Sequence, residues 1–125
     1  MTRVLLDTHA ALWLLTGDRP LGPRATEAIE DPTVEVLLSA ASVWEVAIKR
    51  GTGKLDSPDG FATMLVGGGA VPLPVDLAHA ARVEHLPDHH RDPFDRLLVA
   101  QAQHEGLAIL TRDPLIARYD VATVW

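Results

Sequence analysis

Short apolar runs alternate along the chain with segments whose apolar positions recur every three or four residues, and glycine or proline marks most of the changes. Arg3–Leu6 reads as a strand, and residues 10–15 as a short helix ending at Thr16-Gly17-Asp18, with Pro20 and Pro23 in the following turn. Pro23–Glu30 reads as helix and residues 34–39 as strand. Ser39 or Ser42 caps the next helix, whose Val43, Trp44, Ala47 and Ile48 form an apolar stripe at helical spacing before Gly51 stops it. Residues 56–69 are undetermined: Ser57-Pro58-Asp59-Gly60 leads toward a short helical stretch that Gly67-Gly68-Gly69 ends. Residues 71–75, with two prolines, fit an edge strand, and residues 76–84 a helix capped by Asp76. Pro93–Glu105 follows as a helix closed by Gly106, then a strand over residues 107–110, a turn at Asp113-Pro114, a short helix and a last strand over residues 121–124. This β-α-β-α-β order predicts an α/β fold with a mainly parallel sheet covered by helices.

Composition narrows the chemistry. The 125 residues suit a single domain spanning 1–125, and the absence of cysteine removes disulfides and thiolate-bound zinc. No stretch approaches the roughly 20 apolar residues that span a bilayer, so a soluble cytoplasmic protein is expected. The formal net charge of −6, from 11 Lys and Arg against 17 Asp and Glu, argues against a polyanion partner. Acids gathered round a divalent cation would weaken that objection, because the ion neutralises them locally.

Four acids stand where the predicted elements could bring them together. Asp7 closes the strand Val4-Leu5-Leu6, at the end of a sheet where open α/β folds place ligands; capping the next helix would explain it equally. Glu45 has Lys49 four residues on, the order of a helical ion pair, yet it borders Ala41 and Ile48 at the core margin. Asp95 extends the row Leu98, Val99 and Ala102, and a carboxylate ending an apolar row needs a partner. Asp113 follows a strand and precedes Pro114, so capping competes again. Asp92, just before Pro93, reads first as an N-cap, with Asp95 as the reciprocal acid of a capping box. Four carboxylates in one crevice cannot all stay ionised without a cation, and hard oxygen donors suit Mg²⁺ or Mn²⁺.

Other chemistries fit less well. The six histidines lack zinc-protease spacing, and the adjacent His89-His90 belongs to a polar loop. Gly67-Gly68-Gly69 lacks the lysine and hydroxyl of a phosphate loop, and there is no nucleophile elbow. Trp13, Trp44 and Trp125 have aliphatic neighbours and read as core or interface residues.

The acidic motifs are also informative as phrases. Leu5-Leu6-Asp7-Thr8-His9-Ala10, Ser42-Val43-Trp44-Glu45-Val46-Ala47-Ile48-Lys49, Asp92-Pro93-Phe94-Asp95-Arg96-Leu97-Leu98-Val99-Ala100-Gln101-Ala102 and Leu110-Thr111-Arg112-Asp113 stand in series. Gly53-Lys54-Leu55 and Tyr119-Asp120-Val121 extend the pattern. Together they resemble the PIN-domain ribonucleases, and in particular the VapC toxins of bacterial type II toxin–antitoxin pairs.

That resemblance implies a three-layer α/β/α sandwich in which Asp7, Glu45, Asp95 and Asp113 are the family's four acids. It implies Mg²⁺ or Mn²⁺, one ion or two, held chiefly by Asp7 and Asp95, with Glu45 and Asp113 acting directly or through water, and a metal-activated water that cleaves RNA. Asp92 is then an accessory acid, and the Thr111 hydroxyl orients the neighbouring carboxylates or a metal-bound water. Arg96 and Arg112, each next to a proposed ligand, are candidate phosphate contacts or ordinary solvated charges, while Lys49, Arg50 and Lys54, clustered after the glutamate helix, are placed to guide the RNA backbone. The resemblance further implies a VapB-like antitoxin that occludes the crevice and a homodimer. Departures lie mostly in residues 56–69 and after Asp113, which bear on partner and substrate choice. Two other classes remain: a phosphoacceptor signalling domain, which needs a lysine after a late strand that Leu110-Thr111-Arg112 does not supply, and a catalytically silent module whose acids are only caps.

Overall fold

A computed structural model describes residues 2–125. Five parallel strands, β1 (Arg3–Leu6), β2 (Glu35–Ser39), β3 (Val71–Leu73), β4 (Ala108–Leu110) and β5 (Thr123–Val124), form one sheet in the order β3-β2-β1-β4-β5. Six α-helices connect them: α1 (Thr8–Thr16), α2 (Pro23–Glu30), α3 (Ala40–Gly51), α4 (Phe61–Gly67), α5 (Leu77–Arg82) and α6 (Pro93–Glu105). Period two in the strands divides the core. Leu5, Leu37 and Ile109 face a layer with Leu98, Val99 and Ala102 of α6, while Val4, Leu6, Leu38 and Leu110 face Ala10, Ala25 and Leu65 of α1, α2 and α4. The expected α/β sandwich is therefore present, and residues 56–69 contain α4.

The chain leaves β1 toward β2 on one side, and β4 later adds on the other. The strand order reverses beside β1, and such a switch point opens a crevice at the carboxyl ends of the strands. Asp7 ends β1 there, and its N–H donates to Leu110 O of β4 at 3.1 Å.

Helix α3 differs from its expected orientation. Ser39, not Ser42, is its N-cap, and its buried side is Ala41, Ser42, Glu45 and Val46. Trp44 is 59% exposed and Ile48 also lies outward, so the apolar stripe read along this helix is not its core face. The reason is tertiary: α3 packs on α1, α4 and α6, touching both core layers through Ala41 and Val46. Trp44 instead lies edge-on to Phe94, with ring centroids 5.2 Å apart.

Candidate functional site

Each acid is positioned by local backbone physics. Asp7 is the N-cap of α1, so that helix begins at Thr8; Asp7 Oδ1 accepts from Ala10 N at 2.6 Å and Oδ2 accepts from the Thr111 hydroxyl. Asp113 donates its backbone N–H to Thr111 Oγ1 at 3.0 Å and accepts from Leu115 N at 2.8 Å. Thr111 thus ties the end of β4 to the end of β1. Asp92 caps α6 by accepting from Phe94 N and Asp95 N, at 2.9 and 3.0 Å, with Pro93 in the first helical turn. The Asp95 side chain does not return to that cap as a capping box would. Its Oδ2 lies 3.3 Å from His90 Nε2.

Glu45 is the most buried of the four, at 2% exposure. Its Oε2 accepts from Lys49 Nζ at 2.6 Å, while Oε1 is buried with no hydrogen-bond partner. A buried carboxylate oxygen without a donor carries a desolvation penalty of about 1–3 kcal/mol or more. The pair with Glu45 raises the Lys49 ammonium above its ordinary value.

The acids sense one another. Burial pushes the Asp95 carboxyl up to about 6, and the negative charges of Asp92, Glu45 and Asp113 add to it against the hydrogen bond from His90. Burial likewise raises Asp7, opposed by its donors Thr111 and Ala10 and assisted by Asp113. The charge of Asp113 acts on both Asp7 and Asp95, and that of Glu45 on Asp95, although no three of the four acids bring oxygens within 4.8 Å of one another. An all-oxygen donor set, two carboxyls resisting ionisation and an orphaned Glu45 oxygen together fit a hard divalent cation.

The basic candidates separate. Lys49 is paired with Glu45 and Arg50 with Asp59. Arg96 turns inward: its Nη1 donates to Pro87 O at 2.9 Å and Tyr119 Oη at 3.0 Å, and its guanidinium lies 5.9 Å from the Tyr119 ring centroid. Arg112 is exposed, its guanidinium 5.1 Å from the Trp13 ring centroid. Lys54 is exposed on the segment after α3. Arg112 borders a cleft of about 230 Å³ that it shares with Asp7, His9, Trp13, Asp113 and Pro114.

A PIN domain family model matches residues 4–122 of the chain. The chain belongs to the PIN-domain family. PIN domains are typically nucleases, which supports a hydrolase. Among solved structures, VapBC2 from Rickettsia felis, bound to a DNA fragment from their promoter, aligns with a TM-score of 0.70 at 10% identity over 98% of this chain and 97% of that one. FitAcB from Neisseria gonorrhoeae aligns at 0.59 with 24% identity over 96% and 95% of the two chains. FitAB bound to an IR36 DNA fragment gives 0.60 and 23% over 96% and 92%. At these identities the likeness concerns the fold. No curated protein matches this PIN domain.

Two residues near the acids of this PIN domain are not assigned to the site by the sequence: His90 reads as part of a polar loop, and Tyr119 only as part of a phrase that extends the family pattern. His90 Nδ1 lies 2.8 Å from Tyr119 Oη. Arginine only donates, so the Tyr119 oxygen accepts from Arg96 and directs its own hydrogen to His90 Nδ1, leaving His90 Nε2–H to donate to Asp95. His90 precedes α6 and Tyr119 is 29 residues away, so no periodicity relates them. His79, His104 and Glu105 also gather potential ligand atoms within 4.8 Å, at the opposite end of α6 from Asp95. There Asp76 N–H donates to His79 Nδ1 at 3.1 Å, so Nε2–H donates to Glu105 at 2.8 Å in a closed strut between α5 and α6. Among the described residues no helix is long and apolar enough to cross a membrane.

Proposed function

We propose that this PIN domain is a Mg²⁺- or Mn²⁺-dependent endoribonuclease, with Asp7, Glu45, Asp95 and Asp113 as its acidic centre. The observation that carries the reading is Glu45 Oε1, a buried carboxylate oxygen with no hydrogen-bond donor in a crevice of raised carboxyls. One or two ions would be held by these four residues, and when bound they supply the Lewis acidity that polarises a phosphate oxygen and acidifies water for in-line attack. The protein's own groups orient the ligands: Thr111 and Ala10 N fix Asp7, His90 fixes Asp95, and Lys49 fixes one oxygen of Glu45. Asp92 adds negative charge from its cap. Among the basic candidates, Arg112 and Lys54 are the two with donors engaged in neither an ion pair nor a side-chain hydrogen bond among the described residues, since Arg96 spends its donors on Pro87 O and Tyr119. Incubating labelled RNA with and without Mn²⁺ tests the activity: cleavage that Asp7→Asn or Asp95→Asn abolishes in a folded protein is expected, and undiminished cleavage by either variant would remove the site.

The reading extends to a cytoplasmic toxin of a toxin–antitoxin pair, a single domain that forms a homodimer. A partner is supported by the net charge of −6, which suits a basic VapB-like antitoxin, and by an apolar groove of about 380 Å³ lined by Leu14, Leu15, Ile29, Val36, Met64 and Leu65. The complexes among the structural neighbours support it further. One observation favours a silent binding module instead: Asp7 and Asp92 accept backbone N–H groups as helix caps, and Asp113 accepts one in a turn. Capping occupies only part of each carboxylate, and the Mn²⁺ assay separates the two.

A further inference from the structure

Two buried hydroxyls beside the acidic crevice serve no helix cap or turn. Thr8 follows Asp7 as the first residue of α1, and Ser42 lies one turn before Glu45 on the buried side of α3. They are 5% and 0% exposed, and Thr8 Oγ1 donates to Ser42 Oγ at 3.0 Å across the seam between the two helices. Among the described residues neither side chain makes another hydrogen bond. Ser39 differs, since it caps α3 through Ala41 N and also donates to Gln101 of α6. Helix α3 is thus pinned by hydroxyls to α1, which Asp7 opens, and to α6, which carries Asp95.

A buried hydroxyl pair gains little net stability over apolar side chains of the same shape, because each hydroxyl gives up its bonds to water. What it adds over apolar contact is direction, one fixed distance and one fixed rotation between the helices. The acid on α3 is the one that depends on this. Asp7 is held by Thr111 and Ala10 N, and Asp95 by His90. Glu45 has no donor on Oε1 and only Lys49 on Oε2, a lysine whose side chain is 40% exposed. Where the Glu45 carboxylate lies is therefore set by how α3 is seated.

Resting on the metal-dependent nuclease reading above, we propose that Thr8 and Ser42 are positioning residues of the cation centre, whose hydrogen bond holds Glu45 in register with Asp7. The path is short: Asp7, the adjacent Thr8, the hydrogen bond, Ser42 and one helical turn to Glu45. A slip or rotation of α3 moves the Glu45 oxygens against those of Asp7, and a functional constellation tolerates displacement of only about 0.5 Å. Both hydroxyls are buried, so they act through the helices and not on substrate.

The test is Mn²⁺ binding without RNA, read from the electron paramagnetic resonance signal of free Mn²⁺, beside urea unfolding and cleavage of labelled RNA. Thr8→Val combined with Ser42→Ala removes both hydroxyls and leaves neither unsatisfied, so the urea midpoint should stay close to wild type. Its Mn²⁺ affinity should fall about 10- to 100-fold, and kcat should fall with KM for RNA nearly unchanged. Thr8→Ser keeps the hydroxyl and should bind Mn²⁺ as wild type does. Leu65→Ala, a core truncation on α4, should lower the urea midpoint and leave Mn²⁺ affinity unchanged, which separates positioning from stability. If the double variant does not fold, Ser42→Ala alone carries the comparison, with an expected loss of about tenfold. Wild-type Mn²⁺ affinity in a folded variant that lacks the bond would overturn the positioning role and leave the nuclease standing. So would a Thr8→Ser protein as weak as the double variant, or an equal Mn²⁺ loss in Leu65→Ala. A wild-type protein that neither binds Mn²⁺ nor cleaves RNA overturns both.

Discussion

Arg96 and Arg112 each sit next in sequence to a proposed ligand, Asp95 and Asp113, yet the two sides of the crevice treat them differently. On the α6 side, Arg96 donates to Pro87 O and Tyr119, Tyr119 holds His90, and His90 holds Asp95, with Tyr119 only 3% exposed. On the β4 side, Arg112 rests on the face of Trp13 and opens onto the cleft. The first arrangement fixes a carboxylate; the second leaves a cation ready for a ligand. Position next to an acid in the sequence therefore says little about an arginine's role, which depends on whether interior acceptors lie within reach.

The largest effect expected from this contrast is at Asp95. Asp95→Asn keeps the shape and the His90 contact but loses the charge, and should lower Mn²⁺-dependent cleavage by more than the roughly 100-fold that loss of an outer partner costs. His90→Ala, which removes only the orienting donor, should cost about 10- to 100-fold, with weakened apparent Mn²⁺ affinity. His90→Gln, whose amide N–H replaces Nε2–H, should recover most of the loss. If Ala and Gln variants behave alike, the closed side is packing and not orientation.

The closed side also has a pH signature. Asp95 titrates at about 6 in the folded protein against 3.8 ordinarily, so the native state holds its proton more tightly than the unfolded chain. Stability contributed by the protonated form is present below about pH 4 and lost as pH rises to 6, an effect on the order of 2–3 kcal/mol without metal. Asp7 is shifted in the same direction. Asp31 and Asp76 are held low by their own turn and cap donors and act below that window. Thermal unfolding in EDTA should show Tm falling from pH 4 to 6.5, with the fall reduced in Asp95→Asn, and Mn²⁺ should raise Tm at pH 7.5 far more than at 4.5. A Mn²⁺ shift equal at both pH values would contradict cation binding by these carboxylates.

Stability separates the two arginines directly. Arg96→Ala leaves the Tyr119 oxygen and the Pro87 carbonyl short of a donor and should destabilise by about 1–3 kcal/mol. Arg112→Ala should stay within about 0.5 kcal/mol of wild type in urea unfolding, as expected for an exposed side chain. Comparable losses for both would mean that Arg112 has a structural partner.

Much of this was legible in the chain. The strands, the caps Asp76 and Asp92, Pro93 opening α6 and Gly106 closing it in the left-handed region (φ 69°) follow from local rules. Capping and function proved to be compatible readings of Asp7, since its two oxygens take separate donors. What could not be read was long-range. The link of His90 to Tyr119 spans 29 residues, and that of Thr111 to Asp7, 104 residues apart, is reached only through the family resemblance. Period alone also could not choose which side of α3 faces inward, because that helix packs on three other helices as well as on β2.

The smallest expected effect tests that last point. An apolar stripe of Val43, Trp44, Ala47 and Ile48 reads as a core face, and burial of a tryptophan there would make Trp44→Gln cost about 3 kcal/mol or more, as loss of a large core side chain does. With Trp44 59% exposed and only its edge on Phe94, the change should stay below about 1 kcal/mol. Val46→Ala, on the buried side of the same helix, should exceed it despite removing far fewer atoms. Denaturant unfolding of the two variants at a protein concentration low enough to keep the chain monomeric gives the order. A larger loss for Trp44→Gln than for Val46→Ala would put the stripe back in the core and turn Glu45 away from the other acids.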